Sequence, residues 1–272
     1  MRARVIFRLQ NRGGVVPFHH QHVLAQLIKG LIVRENKKEF LNFKTYNFSG
    51  LKGQTKISRK GLHFFSSKIT LVLSSPDKNF IDHFLSTLFS HDEIEVGNLR
   101  LVPESVELEE PVITNGPVKI VCISPVVLVK PVFGDQNTKK FIHPEADFFS
   151  DQIFDSTIMR MSRETNYSEK EIDSFYKFQI VPDNAYISRM DKQQKKYARI
   201  YSVFDDDVKY EVRGYTFPFT LYAEKEVLEF LFNCGMGYFC HKGFGMIDLA
   251  EQENSKKFSK YEVNVSSTGT VH

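Results

Sequence analysis

Polar and apolar residues alternate over Arg4–Leu9, the period of a half-buried strand. Leu24, Leu27, Ile28 and Leu31 then recur at the spacing of one helix face. Pro17 stands where that helix is expected to begin, because its missing N–H costs nothing in a first turn. Phe40–Phe48 and Leu62–Leu73 are rich in aromatic and β-branched residues and predict strands. Ser75–Asp77 opens a second helix with apolar positions Phe80, Ile81, Phe84, Leu85 and Leu88, and Leu99–Val106 predicts a closing strand. This is the βαββαβ order of a ferredoxin-like fold.

The second half repeats the order. Val118–Lys130 predicts a long strand and Glu145–Asn166 a helix. Strands are predicted over Ile172–Val181, Tyr186–Arg189, Lys195–Phe204 and Val208–Leu221, with a hairpin turn at Asp205–Asp207. Glu224–Phe232 predicts a short helix and Met246–Leu249 a last strand. Acids, prolines and Gly116 interrupt both patterns over Glu109–Pro117. The expectation is an α+β chain of two tandem ferredoxin-like domains with antiparallel sheets, residues 1–112 and 117–250, with a cleft between the sheets that suits a polymer. The polar tail, residues 251–272, is expected to fray.

A chain of 272 residues with 42% hydrophobic and 25% charged residues builds a packed core rather than a disordered coil. No apolar run reaches the ~18 residues of a membrane span. The opening MRARVIFRLQ reads as a strand rather than a signal peptide. Three cysteines cannot all pair within the chain, so a reduced, cytoplasmic protein is expected. A net charge of +3 permits nucleic-acid binding without demanding it. Its distribution says more: Lys52, Lys56, Arg59, Lys60 and Lys68 follow one another with no acid among them, while acids gather at Glu104–Glu110. Such a glycine-punctuated loop either clamps nucleic-acid phosphates, through Lys52, Lys56 and Arg59 above all, or is simply solvated.

The segment Gly235-Met-Gly237-Tyr-Phe-Cys-His-Lys-Gly243-Phe-Gly245 is the most informative stretch. Glycines so placed let a backbone turn sharply, and inward amides can form an anion nest. His241 and Lys242 stand between the glycine pairs. On composition alone the loop is equally a turn between helix and strand. Its pattern, G-x-G, five residues, G-x-G, resembles the signature of the CRISPR-associated repeat-processing endoribonucleases of the RAMP superfamily. Gly214–Leu221, Ser124-Pro125-Val-Val, Val16–Gln21 and Phe43–Ser49 are similar to further segments of that family, so the likeness runs from about Met1 to Leu249.

The resemblance implies RNA cleavage without a metal or small-molecule cofactor, by attack of a ribose 2′-OH on the adjacent phosphate. That needs a base, a cation for the phosphate charge and an acid for the leaving oxygen. Around the first helix stand His19, His20 and His22. Helical geometry puts His22 and Lys29 on the polar face and turns His20 toward the core, although His20 precedes Gln21 as family histidines often do. Lys44 stands where family members carry a lysine that contacts the scissile phosphate. The stretch Arg34–Glu39, where many members have a histidine, has none. The candidate catalytic set is therefore His22, Lys29, Lys44 and His20. The candidate RNA contacts are Lys52, Lys56, Arg59, Gly235, Gly237, His241, Lys242, Gly243 and Gly245. His63 and Phe64 are expected to pack, and Cys234, Cys240 and His241 fall one ligand short of a zinc set, so no metal is expected.

The implied partner is CRISPR repeat RNA, with a CRISPR effector complex as a further one and no membrane. Two other readings stay open: a non-catalytic RAMP protein that holds repeat RNA as a scaffold, and a generic interaction protein whose glycine loop is only a turn. The missing histidine before Lys44 favours the scaffold.

Overall fold

The computed structural model describes residues 1–33, 38–111, 117–130, 140–205, 208–250 and 256–264. Its first half runs β1 (Arg2–Leu9), β2 (Val15–Val16), α1 (Gln21–Val33), β3 (Asn47–Phe48), β4 (Thr55–Ser58), β5 (Gly61–Phe64), β6 (Lys68–Ser74), α2 (Lys78–Phe89), β7 (Ile94–Val96) and β8 (Leu99–Pro111). The main strands β8-β1-β6-β3 pair in that order, all antiparallel, the order a ferredoxin-like unit requires. Both helices bury the faces their periodicity marks: Leu24, Ile28, Leu31 and Ile32 on α1, and Phe80, Ile81, Phe84, Leu85 and Leu88 on α2. Asp77 caps α2 by accepting the amide hydrogens of Asn79 and Phe80.

The second half runs β9 (Val118–Cys122), β10 (Val126–Val127), β11 (Val129–Lys130), β12 (Lys140–Phe141), α3 (Phe149–Glu164), α4 (Glu169–Phe175), β13 (Gln179–Pro182), α5 (Asn184–Lys192), β14 (Ala198–Asp205), β15 (Val208–Tyr215), β16 (Phe219–Tyr222), α6 (Lys225–Cys234), β17 (Ile247–Leu249) and β18 (Lys256–Tyr261). The sheet β13-β16-β9-β17 repeats the first topology, and the hairpin β14–β15 is inserted ahead of β16. Each unit has its own apolar cluster, one around Phe7, Phe48 and Phe84, the other around Phe149, Phe217 and Leu231.

Several local expectations are corrected. Ile172–Val181 and Tyr186–Arg189 are not two strands: α4, a short turn and β13 replace the first, and α5 the second. Local capping decided both: Ser168 and Glu171 form a reciprocal capping box, and Asp183 accepts the Tyr186 amide hydrogen at 2.9 Å. Phe40–Phe48 is a 3-10 turn, a loop and only the two residues of β3. Its aromatics do not alternate across a sheet but stack on α2, with Phe43 and Tyr46 4.7 and 4.9 Å from the Phe80 ring. Leu62–Leu73 is two strands, and Val118–Lys130 breaks at Pro125, which has no amide for a ladder. Pro17 precedes the helix start by a full turn of chain, Phe18–His20.

The tail also departs from expectation. β18 adds to the first sheet beside β8, with Lys257 opposite Glu110 and Lys260 opposite Glu107. Tyr261 packs on the first core and its hydroxyl donates to Asp82. Opposite charges across the ladder supply the pairing that apolar pattern did not advertise. The Asp205–Asp207 turn and most of Glu109–Pro117 lie outside the described residues.

Candidate active site

A cleft of about 410 Å³ opens between the two units. One wall is the polar face of α1, with His22, Gln26 and Lys29. Lys44 and Tyr46 close one side on the loop before β3. Opposite stand Phe204 of β14 and His241 and Lys242 of the glycine loop. Lysines and histidines thus line the cleft, and no carboxylate does among the described residues.

The three clustered histidines separate cleanly. His22 Nδ1 lies 3.0 Å from the His19 carbonyl oxygen. A carbonyl only accepts, so Nδ1 carries the hydrogen and the lone pair of the neutral ring sits on Nε2. His20 is buried and does not line the cleft. Its Nε2 accepts the Leu51 amide hydrogen at 3.1 Å and its Nδ1 faces the Pro17 carbonyl at 3.3 Å, so backbone occupies both nitrogens. Burial holds its pKa below the ordinary value. His19 packs its ring edge-on against Tyr201, with centroids 4.5 Å apart, and burial, then the Arg199 charge, lowers its pKa.

The glycine loop is a packing device. All four glycines have positive φ and are buried. A Cβ on Gly235 would fall 1.8 Å from Asn47 Nδ2, and one on Gly243 would fall 2.6 Å from the Phe48 ring, so both must be glycine for the loop to seat on β3. Asn47 seals the contact by donating to the Phe244 carbonyl at 3.1 Å. The amides of Gly235, Met236, Tyr238, Gly243 and Gly245 all donate to protein carbonyls, so these five are taken up within the fold. The loop's own carbonyls turn toward a cation, since Arg160 of α3 donates to those of Cys234, Gly235 and Gly237 at 2.7, 3.0 and 3.2 Å. What the loop offers the cleft is His241, Lys242 and Phe244.

Lys52, Lys56 and Arg59 lie outside the cleft, along the β4–β5 hairpin and its approach. All three are exposed, and Lys56 Nζ sits 5.2 Å from the Phe65 ring centroid. His63 is fixed by Ser58 Oγ at 2.8 Å and the Gly13 carbonyl at 3.0 Å. Cys234 and Cys240 are buried, and burial pushes the Cys234 thiol up to about 12, away from the thiolate a zinc ligand needs.

The profile of the family "CRISPR associated protein Cas6, C-terminal" matches residues 108–249, more than half of the chain. The chain belongs to the Cas6 family. The "CRISPR-associated endoribonuclease Cas6 1" of Methanocaldococcus jannaschii is similar, 26% identical over 251 residues, covering 89% of this chain and 90% of the relative. A solved "CRISPR associated protein Cas6" shares the fold at TM-score 0.74 and 21% identity, covering 92% of this chain and 99% of that one. The structure described as "An RAMP protein binding different RNA substrates" does so at 0.75 and 19%, covering 92% and 100%. The double ferredoxin-like architecture is therefore that of Cas6 proteins.

Sequence reasoning missed three residues that line or shape this candidate site. Tyr46 lines the cleft although its ring is buried, and burial pushes its pKa well above the ordinary value, so it stays a neutral O–H donor. Arg160 had a signal: it follows Ile153 and Thr157 on the inward face of α3, where a cation demands partners. Phe204 gave none, because a hydrophobic strand residue is ordinarily taken for core.

Proposed function

We propose that this Cas6 chain binds CRISPR repeat RNA and cuts precursor transcripts within the repeat, by attack of a ribose 2′-OH that requires no metal ion. The observation that carries the reading is the joining of His22, Lys29, Lys44 and Lys242, from three segments of sequence, in one cleft that no carboxylate lines among the described residues. His22 Nε2 takes the proton of the 2′-OH. The oxygen attacks phosphorus while Lys44 and Lys29 hold the charge gathered on the phosphoryl oxygens. The P–O5′ bond breaks, the leaving oxygen takes a proton from water, and the ends are a 2′,3′-cyclic phosphate and a 5′-OH. Tyr46 supplies a neutral hydrogen bond. His20 has no part in proton transfer, since both its nitrogens serve the backbone. Residues 1–112 and 117–250 act as two RNA-contacting domains, and the product passes to a CRISPR effector complex in the cytoplasm.

The test is incubation of the purified protein with labelled repeat RNAs in EDTA, scoring binding, cleavage and end chemistry. Cleavage with cyclic phosphate ends is expected. The scaffold reading is favoured by the absence of histidine in Arg34–Glu39. Tight binding with no cleavage of any repeat establishes it instead.

A further inference from the structure

Phe204 lines the cleft yet is 48% exposed, while Tyr201 and Val203 on the same strand are buried. Single exposed hydrophobic residues are common on protein surfaces. Position sets this one apart. Its centroid is 6.3 Å from that of His22 at an interplanar angle of 46°. Proton transfer and charge stabilisation give no reason for an aromatic there. A flexible RNA strand gives one, because every nucleobase has a flat π-face that stacks on an exposed ring. A base sandwiched between two rings needs them parallel and about 7 Å apart. The His22–Phe204 pair is closer and tilted, so the base goes on the face of Phe204 turned away from His22.

We infer that Phe204 is a base-stacking residue that holds the nucleobase beside the scissile phosphate and so fixes where the strand is cut. This rests on the RNA-cleavage reading above and adds the contact that aligns the substrate. Stacking tolerates any base, so Phe204 sets the register of the strand rather than its identity. The cations then hold phosphates on either side, and the ribose next to the stacked base presents its 2′-OH to His22.

The experiment is a double-mutant cycle between protein and RNA. Wild type, Phe204→Ala, Phe204→Leu and Phe204→Trp are measured for affinity and single-turnover cleavage. The probes are repeat RNAs carrying one abasic nucleotide at each position in turn. Phe204→Ala is expected to weaken binding of intact RNA about tenfold. Phe204→Leu should fall with it and Phe204→Trp should match wild type. At one position flanking the cut, the abasic RNA should bind wild type and Phe204→Ala equally, because the stacked partner is already gone. A fold defect in the variants would instead weaken every RNA equally, and that result overturns the inference. So does coupling only at a position remote from the cut. If wild type binds but never cuts, the cleavage reading fails, and coupling at a single position in the binding data still upholds the stack. Cleavage by wild type with no coupling at any position overturns the stack and leaves the cleavage reading standing.

Discussion

His20 Nε2 accepts the backbone hydrogen of Leu51 at 3.1 Å, tying the turn before α1 to the loop that leads into the cationic hairpin. The contact requires neutral imidazole. Burial, the largest influence, holds the folded pKa below the ordinary 6.5, and the charges of His19 and His22 act the same way. The unfolded chain therefore binds more protons between the two values. The stability due to neutral His20 is complete above pH 6.5 and is lost as pH falls from there through the folded value. Thermal melts should show Tm falling on acidification from pH 7.5 to 5.5. His20→Gln, which keeps an acceptor and does not titrate, should flatten that fall. His20→Ala should cost about 1–3 kcal/mol by leaving the Leu51 amide without its acceptor. An unchanged pH slope in His20→Gln would remove His20 from the account.

Chemistry and structure should separate in the same cluster. His22→Ala is expected to slow single-turnover cleavage by ~10²–10⁴-fold and Lys44→Ala by ~10²–10³-fold, with affinity changed far less. Lys29→Ala should lie in the range of Lys44→Ala. A 2′-deoxy nucleotide at the cut site should abolish cleavage and spare binding. His20→Ala should lose stability, and its cleavage rate should recover at a temperature where it is folded. Normal cutting by His22→Ala alongside a dead Lys29 or Lys44 variant would move the chemistry to a lysine-based site.

Burial explains what the sequence showed and what it hid. Apolar faces survive in the string of letters as period, so α1, α2, α6, β1 and β8 were legible. The helical period also turned His22 and Lys29 to one side and His20 to the other, as the cleft now has them. Contacts between distant segments leave no period. β18 pairs with β8 about 150 residues earlier, through polar residues whose only clue is lysine facing the acids of Glu104–Glu110. The glycine signature was visible, but its cause was not. The four glycines make room for Asn47, Phe48 and neighbouring carbonyls. α4 and α5 were masked because aromatic and β-branched residues on short amphipathic helices imitate strand composition, and only the caps at Ser168 and Asp183 told otherwise.

The Arg160 clamp should therefore matter to both fold and activity. Arg160→Met leaves the carbonyls of Cys234, Gly235 and Gly237 without their shared donor. A loss of about 2–3 kcal/mol is expected, seen as a fall in Tm of roughly 4–12 °C. Cleavage at a temperature where the variant is folded should still decline, because the loop carries His241 and Lys242 into the cleft. Gly243→Ala tests the same seat from the other side by forcing a methyl group against Phe48 at positive φ. Wild-type stability in both variants would mean that the loop is not seated as described.

The cationic hairpin separates binding from chemistry. Lys52, Lys56 and Arg59 are exposed and none lines the cleft, so they can hold RNA only away from the reacting phosphate. Removing one cation that neutralises a phosphate should reduce the slope of log affinity against log salt by ~0.7 for single-stranded RNA. Changing all three to alanine should therefore flatten the slope by about 2 and weaken binding most at low salt. The maximal single-turnover rate at saturating protein should stay near wild type, because His22 and Lys44 are untouched. Lys68→Ala is the control within the same run of cations. Its Nζ already lies 3.0 Å from Glu104, so it should release fewer ions on binding and move the slope less. Equal slopes for wild type and the triple variant would take the hairpin off the RNA path. A fall in the maximal rate with unchanged affinity would place it beside the cut instead.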